Sequence, residues 1–234
     1  MKTQFLGRSI LVVSECTSTN DLAVTEASRG AVNGFTVVSE RQTAGRGREG
    51  RHWASPAGGI WMTCLIKPEK SEEVSSLPLT VAVATSIAAN QVCMVDSRVR
   101  WPNDIMLNDR KLAGVIVEAE SKGSETVYAA VGIGLNVNNL TSRIESIRET
   151  AISLTEILKT IVDRAALVAS ILNETERLHK LLISGNSNSI LSLLRQHDWS
   201  RGKNVRVNLG NNQVVGVVDD YESLSRIRIH TRHG

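Results

Sequence analysis

Aromatic side chains are scarce in this chain of 234 residues: four Trp, two Tyr and two Phe, 3% of the whole. A surface that grips nucleic acid by stacking its bases needs more of them, interleaved with basic residues. Cysteine is as thin. Cys16, Cys64 and Cys93 are odd in number, widely spaced and in no CxxC pattern, which excludes a disulfide framework and a CxxC metal site and reads as reduced thiols of a cytoplasmic protein. The five histidines, His52, His179, His197, His230 and His233, follow neither metal-ligand nor triad spacing, so metalloenzyme and Ser-His hydrolase chemistry lose their support. A net charge of +3 is too small for a dedicated nucleic-acid binder. No apolar run reaches the roughly 20 residues of a membrane-spanning helix. The opening MKTQFLGRSILVVSE breaks its apolar run at Gly7, Arg8 and Ser9 and lacks a small-residue cleavage site, so it predicts a first strand and not a signal peptide.

What is present is globular: 41% hydrophobic and 22% charged residues, enough for one sizeable domain with at most a small appendage. Residues 9–14 (SILVVS) read as a strand, followed by a helix capped by Thr17 or Ser18, running through Leu22, Ala23 and Glu26 and stopped at Gly30. Segments 35–39 (FTVVS) and 60–66 (IWMTCLI) are β-branched and strand-like, and 77–92 carries Val81, Ala84, Ile87, Ala88 and Val92 at helical spacing. Strands are predicted at 99–101, 105–107, 112–119 and 127–137. Their connections, such as Asn108-Asp109-Arg110, are too short for crossover helices, so the sheet is expected to be mixed and mostly antiparallel. A loop is expected over 139–149, helical sequence from Ser153 or Thr155 to Ile183, a turn at 184–189 and a helix at 190–197. Beyond 200–202 the pattern changes to β segments at 204–209, 213–219 and 226–230, separated by Gly210-Asn211-Asn212 and Glu222-Ser223. This predicts a main domain, 1–200, and a small β-barrel-like module, 201–234.

Three segments carry chemistry. In ERQTAGRGREGRHW (40–53), Arg41, Arg46, Arg48 and Arg51 lie among glycines on a backbone too flexible to hold itself, and the arginines are expected to lack internal partners. Guanidinium forks match phosphate or carboxylate oxygens, so an anion could order the loop; a solvated basic loop and a nucleic-acid contact loop stay open as alternatives. The P-loop pattern GxxxxGK[ST] is missing. In RWPNDIMLNDRKLAG (100–114), Lys111 stands at a strand entrance, either as a solvated charge or as a fixed cation for a phosphoryl oxyanion. In VGIGLN (131–136), Gly132 and Gly134 share one strand face, leaving room for a ligand or a packed backbone, without the third glycine of a dinucleotide fingerprint.

Ser18-Thr19-Asn20, Gln42 to Arg51 with its Gly45-Arg46-Gly47-Arg48 core, Trp101-Pro102-Asn103-Asp104, Lys111-Leu112-Ala113-Gly114 and Gly132 to Asn136 follow one another as in biotin protein ligases. The chain resembles the short form of that family over residues 8–230. The resemblance implies an α+β fold, with a mixed, mostly antiparallel sheet flanked by helices as in class II aminoacyl-tRNA synthetases, and a small C-terminal SH3-like barrel. It also implies a cytoplasmic ligase that makes biotinyl-5′-adenylate from biotin and ATP with Mg²⁺, without a tightly bound cofactor, and transfers biotin to a lysine of a biotin carboxyl carrier protein. By that resemblance Arg48 and Lys111 are catalytic. Ser18, Thr19, Asn20, Gln42, Arg46, Gly47, Arg48, Lys111, Gly114, Gly132 and Gly134 bind biotin. Arg46, Arg48, Trp53, Asn103, Lys111 and Asn136 bind ATP, and Asp104 is the one candidate metal ligand. No helix-turn-helix fits before Ser18, so no DNA binding is expected; no membrane contact is expected either, and a homodimer is allowed. Lipoate-protein ligases share the fold and the adenylating chemistry, but their Arg-Arg-x-Ser-Gly-Gly-Gly stretch does not occur. Two departures stand out: Arg100 where the family usually has Lys, and an end at Gly234 where relatives generally add a short strand.

Overall fold

The computed structural model describes residues 1–122, 125–209 and 212–231. A seven-stranded sheet forms its centre, built from β1 (Ile10–Cys16), β2 (Thr36–Gln42), β3 (Ile60–Ile66), β4 (Arg98–Arg100), β5 (Asp104–Leu107), β6 (Arg110–Lys122) and β7 (Glu125–Leu135), in the order β1-β2-β3-β7-β6-β5-β4. Only β1 and β2 run parallel, joined by α1 (Thr19–Ser28); every other neighbouring pair is antiparallel, as short turns require.

Side chains alternate across this sheet, and the alternation positions everything that follows. Ile60, Met62, Cys64 and Ile66 of β3, Val131, Ile133 and Leu135 of β7 and Ala113 and Val115 of β6 join the main core. That core is closed by α2 (Leu77–Cys93), α4 (Arg164–Ile183) and α5 (Ser187–Gln196). Small residues on α2 let it lie close on the sheet, and Val81, Ala84 and Ala88 are fully buried. The opposite face carries Leu65, Ala130 and Tyr128 under α1 and, beside the N-terminal end of α1, Gly114, Gly132 and Gly134, which line a cleft, while Thr63 lies buried beneath Thr19 and Asn20. With both faces covered, β3 is buried along its whole length.

Two helix expectations are corrected. The helical stretch expected from Ser153 to Ile183 is two helices, α3 (Leu154–Leu158) and α4, because Lys159 turns left-handed at φ 58° and Asp163 caps a new start by accepting from the amides of Ala165 and Ala166. The last helix, α5, starts at Ser187, inside the expected turn. The C-terminal segments β8 (Asn204–Leu209), β9 (Asn212–Ser223) and β10 (Arg226–His230) form a three-stranded antiparallel sheet, open among the described residues; the expected Gly210-Asn211 turn lies outside them. This sheet shares the main core through Tyr221 and Leu224, and Arg195 of α5 pairs with Asp220 at 2.9 Å. Among the described residues no helix is long and apolar enough to cross a membrane.

Candidate active site

The glycine floor opens into a cleft of about 740 Å³ between the N-terminal end of α1, the 42–53 loop, the β5–β6 hairpin and β8. Its inner end is polar and buried. Ser18 caps α1 by accepting from the Asn20 amide, which holds the first turn in place. Thr19 donates from its amide and its hydroxyl to Gln42 Oε1 (2.8 and 3.1 Å), and Gln42 Nε2 donates to Ser55 Oγ at 2.8 Å. Thr63 donates to Asn20 Oδ1 at 2.6 Å, while Asn20 Nδ2 donates to Glu118 at 2.9 Å. Of these, Ser18, Thr19, Asn20 and Gln42 line the cleft and keep unused donor or acceptor capacity, since a hydroxyl or amide offers more sites than it uses here.

The glycines on the floor make room for side chains. A Cβ on Gly132 would stand 2.4 Å from Asn20 Oδ1, and one on Gly134 would stand 2.6 Å from Trp53 Nε1. The space the sequence reserved for a ligand or a backbone is therefore filled in part by Asn20 and by the Trp53 indole, whose buried N–H has no partner among the described residues.

The arginine loop is folded, contrary to the expectation that its backbone lacks structure and its arginines lack partners. Its backbone is tied by Gln42 to Ser55, Thr43 to Cys16, Gly47 to Arg51 and Trp53 to Gly45, and Glu49 (φ 59°) and Gly50 (φ 70°) turn the tip. Arg46 grips Asp21 with both guanidinium arms (2.9 and 2.7 Å) and reaches Glu118 at 3.2 Å, contacts that raise its pKa further. Arg48 donates to Asn103 Oδ1 at 3.3 Å, and Arg51 pairs with Glu49. These partners, apart from Glu49, come from α1, β6 and the segment before β5, so they are invisible in local sequence.

Lys111 enters the cleft from β6, with Nζ 2.6 Å from Asp104 Oδ1 and 5.0 Å from the Trp53 ring centroid. Asp104 is shared: Arg100 reaches its other oxygen. A carboxylate held by two cations is poorly placed as a metal ligand, and among the described residues no three His, Cys, Asp or Glu side chains gather as a metal site. Among the described residues, then, the donors around Asp104 do not make up a resident metal site of their own.

Ser18, Thr19, Asn20, Gln42, Arg46, Gly47, Arg48, Trp53, Asn103, Asp104, Lys111, Gly114, Gly132 and Gly134 all line this cleft. Asn136 does not: it is buried past the end of β7, accepting from Asn139 at 2.9 Å. Sequence reading missed Thr63, Glu118 and the β8 residues Asn204, Arg206 and Asn208. Thr63 had a signal, as the one hydroxyl in an apolar strand.

A profile of the biotin/lipoate A/B protein ligase family matches residues 13–136, more than half of the chain. The chain belongs to this family. A biotin–[acetyl-CoA-carboxylase] ligase of Mycobacterium tuberculosis is 31% identical over 97% of this chain and 87% of its own length. The bifunctional ligase/repressor BirA of Bacillus subtilis is 27% identical over all of this chain and 73% of its own length. Among solved structures, the biotin protein ligase of Aquifex aeolicus in complex with biotin and ATP superposes with a TM-score of 0.87 at 27% identity, covering 97% of this chain and 94% of that one. The mostly antiparallel sheet with flanking helices and a small C-terminal sheet is the fold of this family member.

Proposed function

We infer that the chain is a biotin–protein ligase, which joins biotin to ATP as biotinyl-5′-adenylate and then passes biotin to a lysine of a carrier protein. The observation that carries the reading is the two-ended cleft: a buried hydroxyl and amide floor at one end, Lys111 and Arg48 at the other. A cyclic urea offers two N–H donors and one strong acceptor, which the floor of Ser18, Thr19, Asn20 and Gln42 complements. A dithiolane or plain alkyl chain offers none of these, and would bury the floor without satisfying it. That disfavours lipoate and octanoate, since sites built to hydrogen-bond reject analogues that cannot by factors of about 10⁴.

With the head group on the floor, the biotin carboxylate reaches the cationic end. It attacks the α-phosphorus of ATP, a carboxylate O–P bond forms as the bond to pyrophosphate breaks, and negative charge grows on the phosphoryl oxygens. Lys111 and Arg48 are the fixed cations for that charge, and Arg46 and Asn103 flank the nucleotide path. Magnesium enters as part of the nucleotide substrate, held by its phosphates. In the second half the carrier lysine amine attacks the carbonyl carbon of the mixed anhydride, and AMP departs with the bonding electrons. Trp53 and the 42–53 loop keep water from the anhydride meanwhile. Residues 1–200 do this chemistry, and Asn204, Arg206 and Asn208 of β8 line the cleft from the C-terminal module. Three free cysteines suit a cytoplasmic setting.

ATP–pyrophosphate exchange on the purified protein tests the reading. Biotin should drive exchange, while lipoate and octanoate at equal concentration should give none. Exchange driven equally by lipoate would transfer the assignment to the sister activity.

A further inference from the structure

Lys111 does not stand alone at the cationic end of the cleft. Asp104 lies between it and Arg100, with Oδ1 toward Lys111 and Oδ2 toward Arg100, and only 13% of the Asp104 side chain is exposed. Arg100 is held from its other side. Its guanidinium carbon is 5.5 Å from the Trp199 ring centroid, and Trp199 is fixed in turn by donating Nε1 to Asp109 Oδ1 at 2.8 Å, in the turn two residues before Lys111. Lys203 binds the same Asp109 oxygen at 3.0 Å and lies 3.4 Å from the same ring. Together Lys203 and Trp199 hold the Asp109 carboxyl below its ordinary range.

A lone Asp104 at 2.6 Å would cancel most of the charge that Lys111 could offer a reactant. Arg100 changes that balance: two cations share one anion, and the group as a whole keeps a positive charge facing the cleft. A planar fork suits the post because it can stack on an indole and donate to a carboxylate at the same time, which an ammonium does less well.

Resting on the assignment of Lys111 to adenylate formation, we propose that Arg100, set within cation–π range of Trp199, is a positioning residue that occupies Asp104 and so leaves the charge of Lys111 available to the phosphoryl group. Arg100 also lines the cleft, but in this proposal its effect on the rate runs through Asp104. Trp199 brings the start of the C-terminal module into the same arrangement.

The test is single-turnover adenylate formation, with calorimetric biotin binding beside it, in Arg100→Gln, Arg100→Lys, Asp104→Asn and the Arg100→Gln/Asp104→Asn double variant. Arg100→Gln should slow adenylation about 10-fold or more and leave biotin affinity within about twofold. Arg100→Lys should recover most of the rate. The double variant should be faster than Arg100→Gln alone, because with Asp104 neutral there is no charge left for Arg100 to occupy. If Arg100 acts only through Asp104, Arg100→Gln should cost nothing further in the Asp104→Asn background; a double variant slower than Asp104→Asn by the same factor as Arg100→Gln slows the parent, as expected if Arg100 is merely structural or itself meets the phosphates, overturns the proposal. Lys111→Ala run in parallel separates the two ideas. If it is slow while Arg100→Gln is normal, only the positioning role fails; if Lys111→Ala is itself normal, the assignment of Lys111 fails.

Discussion

At the scale of single residues, the glycines of β7 and the polar side chains beneath α1 form one fitted set. Gly132→Ala would press a methyl into Asn20, whose amide is held at both ends by Thr63 and Glu118 and cannot swing aside cheaply. Overpacking of this sort costs about 1–3 kcal/mol. Because the crowded atoms line the cleft, most of that cost should appear as weaker biotin binding, roughly 5- to 100-fold by calorimetry, with a fall of only a few degrees in melting temperature. A variant that binds biotin normally would remove Asn20 from the floor. The paired glycines were legible in the sequence because they interrupt an apolar strand, whereas the Ser-Thr-Asn run was legible only through the resemblance to biotin protein ligases. Glu118 and Asp21 were not, since an acidic residue on a strand edge or a helix surface looks solvated until the fold sets an arginine from another segment against it.

At the scale of elements, two attachments carry measurable consequences. The N-terminal segment is pinned to α4 by Glu176, whose carboxylate accepts from the amides of Gln4, Phe5 and Leu6 and from Lys180. Burial pushes this carboxyl up, but those donors outweigh it and bring the pKa from 4.5 down to about 2. A carboxyl lowered by folding adds stability above its unfolded value and loses it as pH falls through the folded one. Glu176 should therefore contribute about 3 kcal/mol at neutral pH, fading between about pH 4.5 and 2. Denaturant melts of Glu176→Gln against the parent should differ by about that much at pH 7 and converge near pH 2; a gap independent of pH would contradict the account. The second attachment is the grip of Arg46 on Asp21, half-exposed and so worth about 0.5–1 kcal/mol. Asp21→Asn should open the 42–53 loop and speed tryptic cleavage after Arg48 and Arg51 by about 2- to 5-fold. Unchanged cleavage would show that the backbone ties alone hold it. Strands and their pairing sense were readable from alternation and short turns, whereas the break between α3 and α4 was not, because 153–183 has helical composition throughout and only Lys159 and Asp163 interrupt it.

At the scale of the whole molecule, one sheet divides two tasks between its faces: one side packs against α2, α4 and α5 to make the protein stable, and the other exposes a floor for chemistry. In the proposed function the cleft is in turn divided along its length, with recognition at the buried end and charge at the open end. That division is the central claim, and Lys111→Ala tests it most directly, by single-turnover adenylate formation at saturating biotin measured beside calorimetric biotin binding. Losing one charge at a developing oxyanion costs about 3–4 kcal/mol, so the rate should fall roughly 100- to 1,000-fold while biotin affinity changes by less than about fivefold. A rate within about threefold of the parent, or a loss of affinity as large as the loss of rate, would contradict the account.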